Sequence, residues 1–116
     1  MATREIVFYK TINNKIPVEE FLNSLPDKNV KKILWVLQLV KQLDKVPIEY
    51  FKKLENSEDI WEIRAGSGNN KYRLLGFWYK SNFIVLTNGF IKKSQKTPVK
   101  EIKLAETRKK DYLERS

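Results

Sequence analysis

The chain has 116 residues, with 23 Lys and Arg against 14 Asp and Glu, and a net charge of +9 at pH 7. It contains neither cysteine nor histidine, which excludes disulfides, thiolate nucleophiles and imidazole-based proton transfer. The basic excess is concentrated, since residues 60–100 hold eight Lys and Arg but a single acidic residue, Glu62. This distribution favours a polyanionic partner such as nucleic acid, and a solvated basic surface is the alternative interpretation.

The first half of the chain predicts one strand followed by two helices. Residues 3–9 alternate in the manner of a strand, and Pro17 is placed to open a short helix. Apolar residues between 27 and 43 recur at helical spacing and form a wide stripe that includes Trp35. Pro47 ends this helix, and residues 47–59 are predicted to be a connector.

The second half predicts three consecutive antiparallel strands and a final helix. Residues 60–65, 71–79 and 83–91 are rich in aromatic and branched side chains and are separated by turn-like segments. Thr97 and Pro98 then cap and open the last helix. The predicted order is β-α-α-β-β-β-α, an α+β fold with helices packed on a mostly antiparallel four-stranded sheet. The length fits one domain over residues 1–116.

Four basic residues are predicted to converge at one end of this sheet: Arg64, Arg73, Lys92 and Lys93. A hairpin loop over residues 66–70 would place the two arginines on opposite faces. Pairing of Gly66 with Lys71 around a four-residue loop instead sets Arg64 directly opposite Arg73, and this is the register that we predict. Two adjacent like charges are unfavourable unless an anion lies between them, so this register is the one that a phosphate shared by both arginines requires. The alternative is that Arg73 pairs with Glu62 and only supports the hairpin.

The following hairpin is predicted to bring the two lysines to the same end. A turn over residues 80–82 pairs Tyr79 with Phe83 and therefore sets Arg73 near Gly89. Lys92 and Lys93 then lie about 10–13 Å further along the strand. Because Gly89 has no side chain, it is expected to leave room for a ligand to approach.

A fixed cationic cluster of this kind is suited to the cleavage of a phosphodiester bond. When a ribose 2′-oxygen attacks the adjacent phosphate, negative charge develops on oxygens that guanidinium and ammonium groups stabilise. Further residues are predicted to bind RNA around this cluster: Lys71, Tyr72, Phe90 and Lys96. The two aromatic residues offer faces for unstacked bases, and packing in the core is their alternative role.

Three sequence blocks carry a resemblance to a known family. They are Trp61-Glu62-Ile63-Arg64, Tyr72-Arg73 and Gly89-Phe90-Ile91-Lys92-Lys93-Ser94-Gln95-Lys96-Thr97-Pro98. Together they resemble the phage-derived Gp49-like branch of the HigB toxins, within the RelE/ParE superfamily, over about residues 50–113. The resemblance implies a RelE-like domain, a ribosome-dependent endoribonuclease that acts on mRNA, and a helix-turn-helix antitoxin of the HigA kind. It places the active site at the four converging basic residues.

The sequence departs from this family in one respect that bears on mechanism. Many relatives use a histidine or a C-terminal tyrosine near the scissile phosphate, whereas this chain has no histidine and Tyr112 is its only late tyrosine. The general acid and base are therefore not identified, and a lysine or a group on the ribosome is the candidate.

Two other functions stay open at this point. One is a ParE-like toxin that poisons DNA gyrase, and the other is a non-catalytic nucleic-acid-binding regulator of phage origin. The converging cations favour the nuclease, because a gyrase-binding protein has no need of them. We expect no cofactor and no metal, since the sequence has no close carboxylate cluster. We also expect a cytoplasmic protein that does not bind membranes, because no long apolar run occurs and the N-terminus is charged.

Overall fold

The computed structural model describes residues 3–116, where the chain forms five strands and three helices. In chain order they are β1 (Glu5–Phe8), α1 (Pro17–Asn23), α2 (Asp27–Gln42), β2 (Phe51–Lys53), β3 (Trp61–Ser67), β4 (Asn70–Tyr79), β5 (Phe83–Ile91) and α3 (Val99–Arg115). None of the helices in this part of the chain is long and apolar enough to cross a membrane. Residues 1 and 2, which belong to the N-terminal segment used to predict location, lie outside the described residues.

All five strands belong to one sheet, in the order β1-β5-β4-β3-β2. β1 runs parallel to β5, and the other three pairs are antiparallel. The predicted α+β class and mostly antiparallel sheet are confirmed, but the predicted count of four strands is wrong. The additional strand is β2, which lies in the segment predicted to be a connector. Its three residues, of which Phe51 is buried and Lys52 and Lys53 are exposed, are too few to show a strand period in the sequence.

Helices cover both faces of the sheet. α1 and α2 pack on the face that includes Ile63, Tyr72 and Leu74, while α3 packs on the face that includes Leu75 and Phe77. Because successive side chains of a strand point to opposite faces, the central strands β4 and β5 are apolar on both sides. The same alternation turns polar residues of β3 and β4 toward the α3 face, where the sheet end is open.

The hairpin between β3 and β4 has a two-residue turn. Ser67 pairs with Asn70, so the loop is shorter than the four residues predicted, and Gly68 adopts a φ of 62° as its first central residue. A positive φ at that position is the conformation for which glycine is favoured. Beyond the turn the predicted register is confirmed, because Gly66 pairs with Lys71.

A β-bulge interrupts the pairing of β4 with β5. Leu75 pairs with Asn88 and Gly76 pairs with Leu86, so Thr87 is an extra residue on β5. The pairing of Tyr79 with Phe83 on the turn side of the bulge is as predicted. On the far side every partner is displaced by one residue, as a bulge requires.

The bulge changes which residue lies beside Arg73. Arg73 pairs with Phe90, and Gly89 pairs with Leu74, so the strand partner of Arg73 is one residue beyond the predicted Gly89. Gly89 does not face the site. A Cβ atom there would lie 2.5 Å from Phe21 Cδ2 and 2.6 Å from Leu74 Cδ2. The missing side chain therefore makes room for α1 to pack on the sheet, and the predicted ligand approach at Gly89 is wrong.

Candidate nucleic-acid interface

Arg64 and Arg73, which we call the arginine pair, lie directly opposite each other on β3 and β4. The backbone N–H of Arg64 donates outward to Tyr50 O at 2.8 Å. Arg64 and Arg73 are therefore a non-hydrogen-bonded pair, the closer of the two antiparallel spacings, at about 4.5 Å between Cα atoms. Their side chains leave the same face of the sheet, so the strand geometry holds two positive charges together.

Glu62 lies between the two guanidinium groups. Its Oε1 atom is 3.6 Å from Arg64 Nε and 3.5 Å from Arg73 Nε, and the side chain is buried. Thr97, from the loop before α3, donates a hydrogen bond to Glu62 Oε2. One carboxylate thus offsets part of the repulsion between two arginines, and the site keeps a net positive charge.

The arginine pair has donor capacity left over. Both Nε atoms are buried and, within residues 3–116, neither has a hydrogen-bond partner, so their contacts with Glu62 are ion pairs without hydrogen-bond geometry. Arg73 Nη1 donates to Tyr72 O at 3.0 Å. Buried donors that lack partners destabilise the free protein and gain when an acceptor arrives. An anion with several oxygens would supply such acceptors.

The pKa values of two cations are lowered, first by burial and then by neighbouring positive charge. Burial lowers the pKa of Arg73 below its ordinary value; Glu62 opposes that shift and the charge of Arg64 adds to it. Burial likewise lowers the pKa of Lys92, with the charge of Arg73 as the next contribution. Both shifts mean that the protein holds these charged forms at a free-energy penalty, which a bound anion would reduce.

Three clefts meet at Arg64. The central cleft, of about 640 Å³, is lined by Arg64, Lys71, Arg73, Lys92 and Lys93 together with the hairpin loop. The helix cleft, of about 620 Å³, lies toward α3 and includes Glu62 and Lys96. The third, which we call the Trp35 cleft, has about 440 Å³ and lies between α2 and the edge of β3. Among the described residues that line the central cleft there are five cations and no carboxylate, so it is the strongest anion site of the three.

The structure brings together the four residues that the sequence predicts to be catalytic. Arg64, Arg73, Lys92 and Lys93 all line the central cleft. Lys92 N donates to Lys71 O at 2.8 Å, which carries the β4–β5 pairing to the start of the lysine-rich loop. Lys71 lines the same cleft, whereas Lys96 lines the helix cleft.

The two aromatic residues predicted to stack on bases differ in position, because Tyr72 lies in the core whereas Phe90 pairs with Arg73. Tyr72 is 2% exposed and points toward α2, where its hydroxyl accepts a hydrogen bond from Asn29 Nδ2. It offers no free ring face, so the predicted stacking role of Tyr72 is wrong and the alternative of core packing holds. Phe90 is partly buried and packs against the cluster beneath α3.

Sequence reasoning missed two aromatic residues that do reach the site. Trp35 is 48% exposed and lines the Trp35 cleft together with Tyr50. The sequence places Trp35 in the apolar stripe of α2, but the buried stripe passes through Ile33, Val36 and Leu37. The breadth of the predicted stripe was the available signal, because a stripe wider than one packing face leaves some apolar residues in solvent.

The described residues have no group of three or more His, Cys, Asp or Glu side chains that could hold a metal ion. The acidic residue at the site is Glu62, and its two oxygens already contact cations and Thr97. The interface is thus a cationic cleft at one end of a mostly antiparallel sheet.

Comparisons with known proteins place the chain in a family. The model of the phage derived protein Gp49-like family (DUF891) matches residues 20–110, and the chain therefore belongs to the Gp49-like family. The recognition made from the sequence blocks is confirmed at this level. A chain in the crystal structure of the archaeal RelE-RelB complex from Pyrococcus horikoshii OT3 is also similar, with a TM-score of 0.48 and 22% identity. That similarity covers 84% of this chain and 100% of the archaeal one. No curated protein matches the chain.

Proposed function

We propose that the protein is the toxin of a type II toxin–antitoxin system and that it cleaves mRNA on the ribosome. The observation that carries the proposal is the arginine pair, two guanidinium groups that face each other over one buried carboxylate and share a cleft with Lys92. Such an arrangement is unfavourable in an empty site and favourable around a phosphate. Membership of the Gp49-like family supports it.

The chemistry follows from the charges. The ribose 2′-oxygen attacks phosphorus, the bond from 2′-oxygen to phosphorus forms, and the bond to the 5′-oxygen breaks. Arg64 and Arg73 hold the non-bridging oxygens, where negative charge grows in the transition state. Guanidinium groups can do so with two hydrogen bonds each, a geometry that a lysine lacks.

Lys92 is the proposed donor of the proton that the leaving 5′-oxygen needs. Burial and the neighbouring arginines lower the pKa of Lys92, which makes its ammonium group a stronger acid than an ordinary lysine. The proton of the 2′-hydroxyl goes to a base contributed by the ribosome. With the general acid on the protein and the general base on the ribosome, the protein needs no histidine for cleavage. The same arrangement makes cleavage depend on the ribosome.

The partner of the resting protein in this proposal is a helix-turn-helix antitoxin of the HigA kind, and the site of action is the cytoplasm. A cationic cleft that binds phosphate would act on mRNA continually if it were free. An antitoxin that covers the cleft or the neighbouring elements prevents this, and electrostatic complementarity would speed its association.

The experiment that tests the proposal is primer extension on cellular mRNA after induction of the protein. We expect new 5′ ends within translated messages and arrest of growth. Relaxed or cleaved plasmid DNA without new mRNA ends would support gyrase poisoning, and binding of RNA without new ends would support the non-catalytic regulator. Arg73→Ala should remove the new ends, because it removes half of the arginine pair.

A further inference from the structure

Trp35 lies beside the cationic site with much of its ring in solvent. Its side chain is on α2, at 48% exposure, and its ring meets the ring of Tyr50 edge to face, with 5.9 Å between centroids. Lys32 Nζ lies 4.9 Å from the centroid of the Trp35 ring. Much of the indole ring is in solvent beside the arginine pair, where a flat ligand could stack on it.

The Trp35 cleft is continuous with the arginine pair. Its lining includes Trp35, Tyr50, Arg64 and Arg73, so the two arginines belong to both this cleft and the central one. The backbone hydrogen bond from Arg64 N to Tyr50 O holds the start of β2 against β3. The Trp35 cleft, on the α2 side of the sheet, therefore meets the arginine pair at the edge of β3.

A stretch of the β3 edge that β2 does not cover lines this cleft. β2 pairs with β3 through Ile63, and the outward N–H of Arg64 is taken by Tyr50. Gly66 lies two residues further along β3, so its N–H points to the same edge, beyond the end of β2. Gly66 lines the cleft and is exposed, which offers a backbone donor to whatever lies on Trp35.

The charge of the cleft selects among possible occupants. Its described lining contains four cationic residues, namely Lys32, Arg64, Lys71 and Arg73, and one acidic residue, Glu49. An occupant that combines a flat aromatic group with negative charge fits this lining, and a nucleotide has both. The volume of about 440 Å³ lies within the range of small-ligand sites, roughly 300–1,000 Å³.

We propose that Trp35, supported by Tyr50, is a stacking platform for an unpaired base of single-stranded RNA whose phosphate is held by Arg64 and Arg73 in the central cleft. The proposal rests on the proposed function and adds to it the subsite next to the scissile phosphate. Stacking on an indole tolerates all four bases, so this subsite supplies affinity and position with little sequence preference. It replaces Tyr72, whose ring is buried, as the aromatic contact of the site.

The test is the affinity of variants for a fluorescently labelled, single-stranded oligoribonucleotide of about ten nucleotides, measured at low salt by anisotropy. Trp35→Ala removes the platform and Trp35→Phe keeps an aromatic ring. Leu34→Ala is the matched control, because Leu34 is the neighbouring residue of α2, is equally exposed at 47% and is outside the described lining of the cleft. A second oligonucleotide carries abasic sites in place of its bases.

Trp35→Ala should weaken binding about 5- to 150-fold, the range for loss of one base–aromatic stack. Trp35→Phe should retain most of the affinity, and Leu34→Ala should bind like the original chain. On abasic RNA the original chain should lose affinity and Trp35→Ala should cause no additional loss. Melting temperatures of the three variants should be similar, since both side chains are exposed.

The proposal would be overturned if Trp35→Ala bound RNA as tightly as the original chain, or if the original chain bound no RNA. It would also be overturned if Trp35→Ala lost as much affinity for abasic RNA as for normal RNA. Loss of antitoxin binding with RNA affinity intact would assign the ring to a protein interface and overturn it as well. These failures are separable from failure of the proposed function. If Arg73→Ala abolishes mRNA cleavage while Trp35→Ala binds RNA normally, the stacking platform alone is rejected. If Trp35→Ala loses RNA affinity and no cleavage is found, the RNA subsite holds and the nuclease is rejected.

Discussion

Arg64 and Arg73 face each other across the β3–β4 hairpin, and the Nε atoms of both lie within 3.6 Å of the same oxygen of Glu62. The carboxylate is buried and shared, and Thr97 donates a hydrogen bond to its other oxygen. Three ionised groups are thus held in one place by strand register. Their balance is positive by one charge, and Lys92 adds to it.

The shared carboxylate gives the first prediction. Glu62→Gln removes the negative charge and leaves the arginine pair uncompensated, so the free energy of unfolding should fall by about 1–3 kcal/mol. Added phosphate should restore part of the loss, because it takes the place of the carboxylate charge between the arginines. Urea denaturation with and without phosphate measures both effects. A variant as stable as the original chain, or one that phosphate does not stabilise, would contradict the role given to Glu62.

The lowered pKa of Lys92 predicts a dependence of stability on pH. The unfolded chain keeps the ordinary lysine pKa of 10.5, and the folded value is lower. Between the two values the unfolded state binds more protons, so stability attributable to Lys92 rises with pH in this window. Lys92→Gln should therefore be more stable than the original chain at pH 7, and the difference should shrink as the pH approaches about 10.5.

Urea denaturation of both proteins at several pH values measures that difference, and the contributions of the other titrating groups cancel because both proteins contain them. Lys93→Gln is the matched control, because Lys93 is the exposed neighbour in the same cleft. A difference between Lys92→Gln and the original chain that is independent of pH would contradict the electrostatic cause.

Much of the site follows from the sequence, because it depends on a short hairpin. The pairing of Gly66 with Lys71 and of Arg64 with Arg73 is as predicted. The turn residues alone left two registers open, and the hypothesis that both arginines hold one phosphate decided between them.

The rest depends on contacts between distant residues. The bulge at Thr87 moves Phe90 beside Arg73, and the Thr87 carbonyl accepts a hydrogen bond from Arg108 Nη1 of α3 at 2.8 Å. Tyr72 is buried by α2 through Asn29. Periodicity along one strand contains no information on either partner, so the sequence could not distinguish an exposed ring from a buried one.

Gly89 supplies the third prediction, since it packs against α1 rather than facing RNA. Gly89→Ala should lower the free energy of unfolding by about 1–3 kcal/mol, because the new methyl group meets Phe21 and Leu74. Phe21→Ala should suppress part of this effect in a double-mutant cycle, since it removes one of the clashing side chains. Additive effects of the two substitutions on stability would contradict the packing role of Gly89. A Gly89→Ala variant of full stability that lost RNA affinity would instead support a ligand role for Gly89.

The antitoxin is the subject of the fourth prediction. Co-expression with the product of the adjacent gene should yield a complex with a dissociation constant on the order of nM. Arg73→Ala should still form it, because Arg73 is buried and contributes little surface. Failure to recover a complex at low salt would count against a toxin–antitoxin pair.

The most direct test of the central claim is primer extension on a translating mRNA with purified ribosomes and purified protein. The original chain and Lys80→Ala, which changes an exposed lysine in the turn at the other end of the sheet, should both produce new 5′ ends. Arg73→Ala should reduce them about 10²–10³-fold, the effect of removing one preorganised donor from a transition state. Its fold should persist, because Glu62 keeps Arg64 as a partner. Cleavage by Arg73→Ala at the original rate, with a melting temperature several degrees lower, would contradict the account and make Arg73 a structural partner of Glu62.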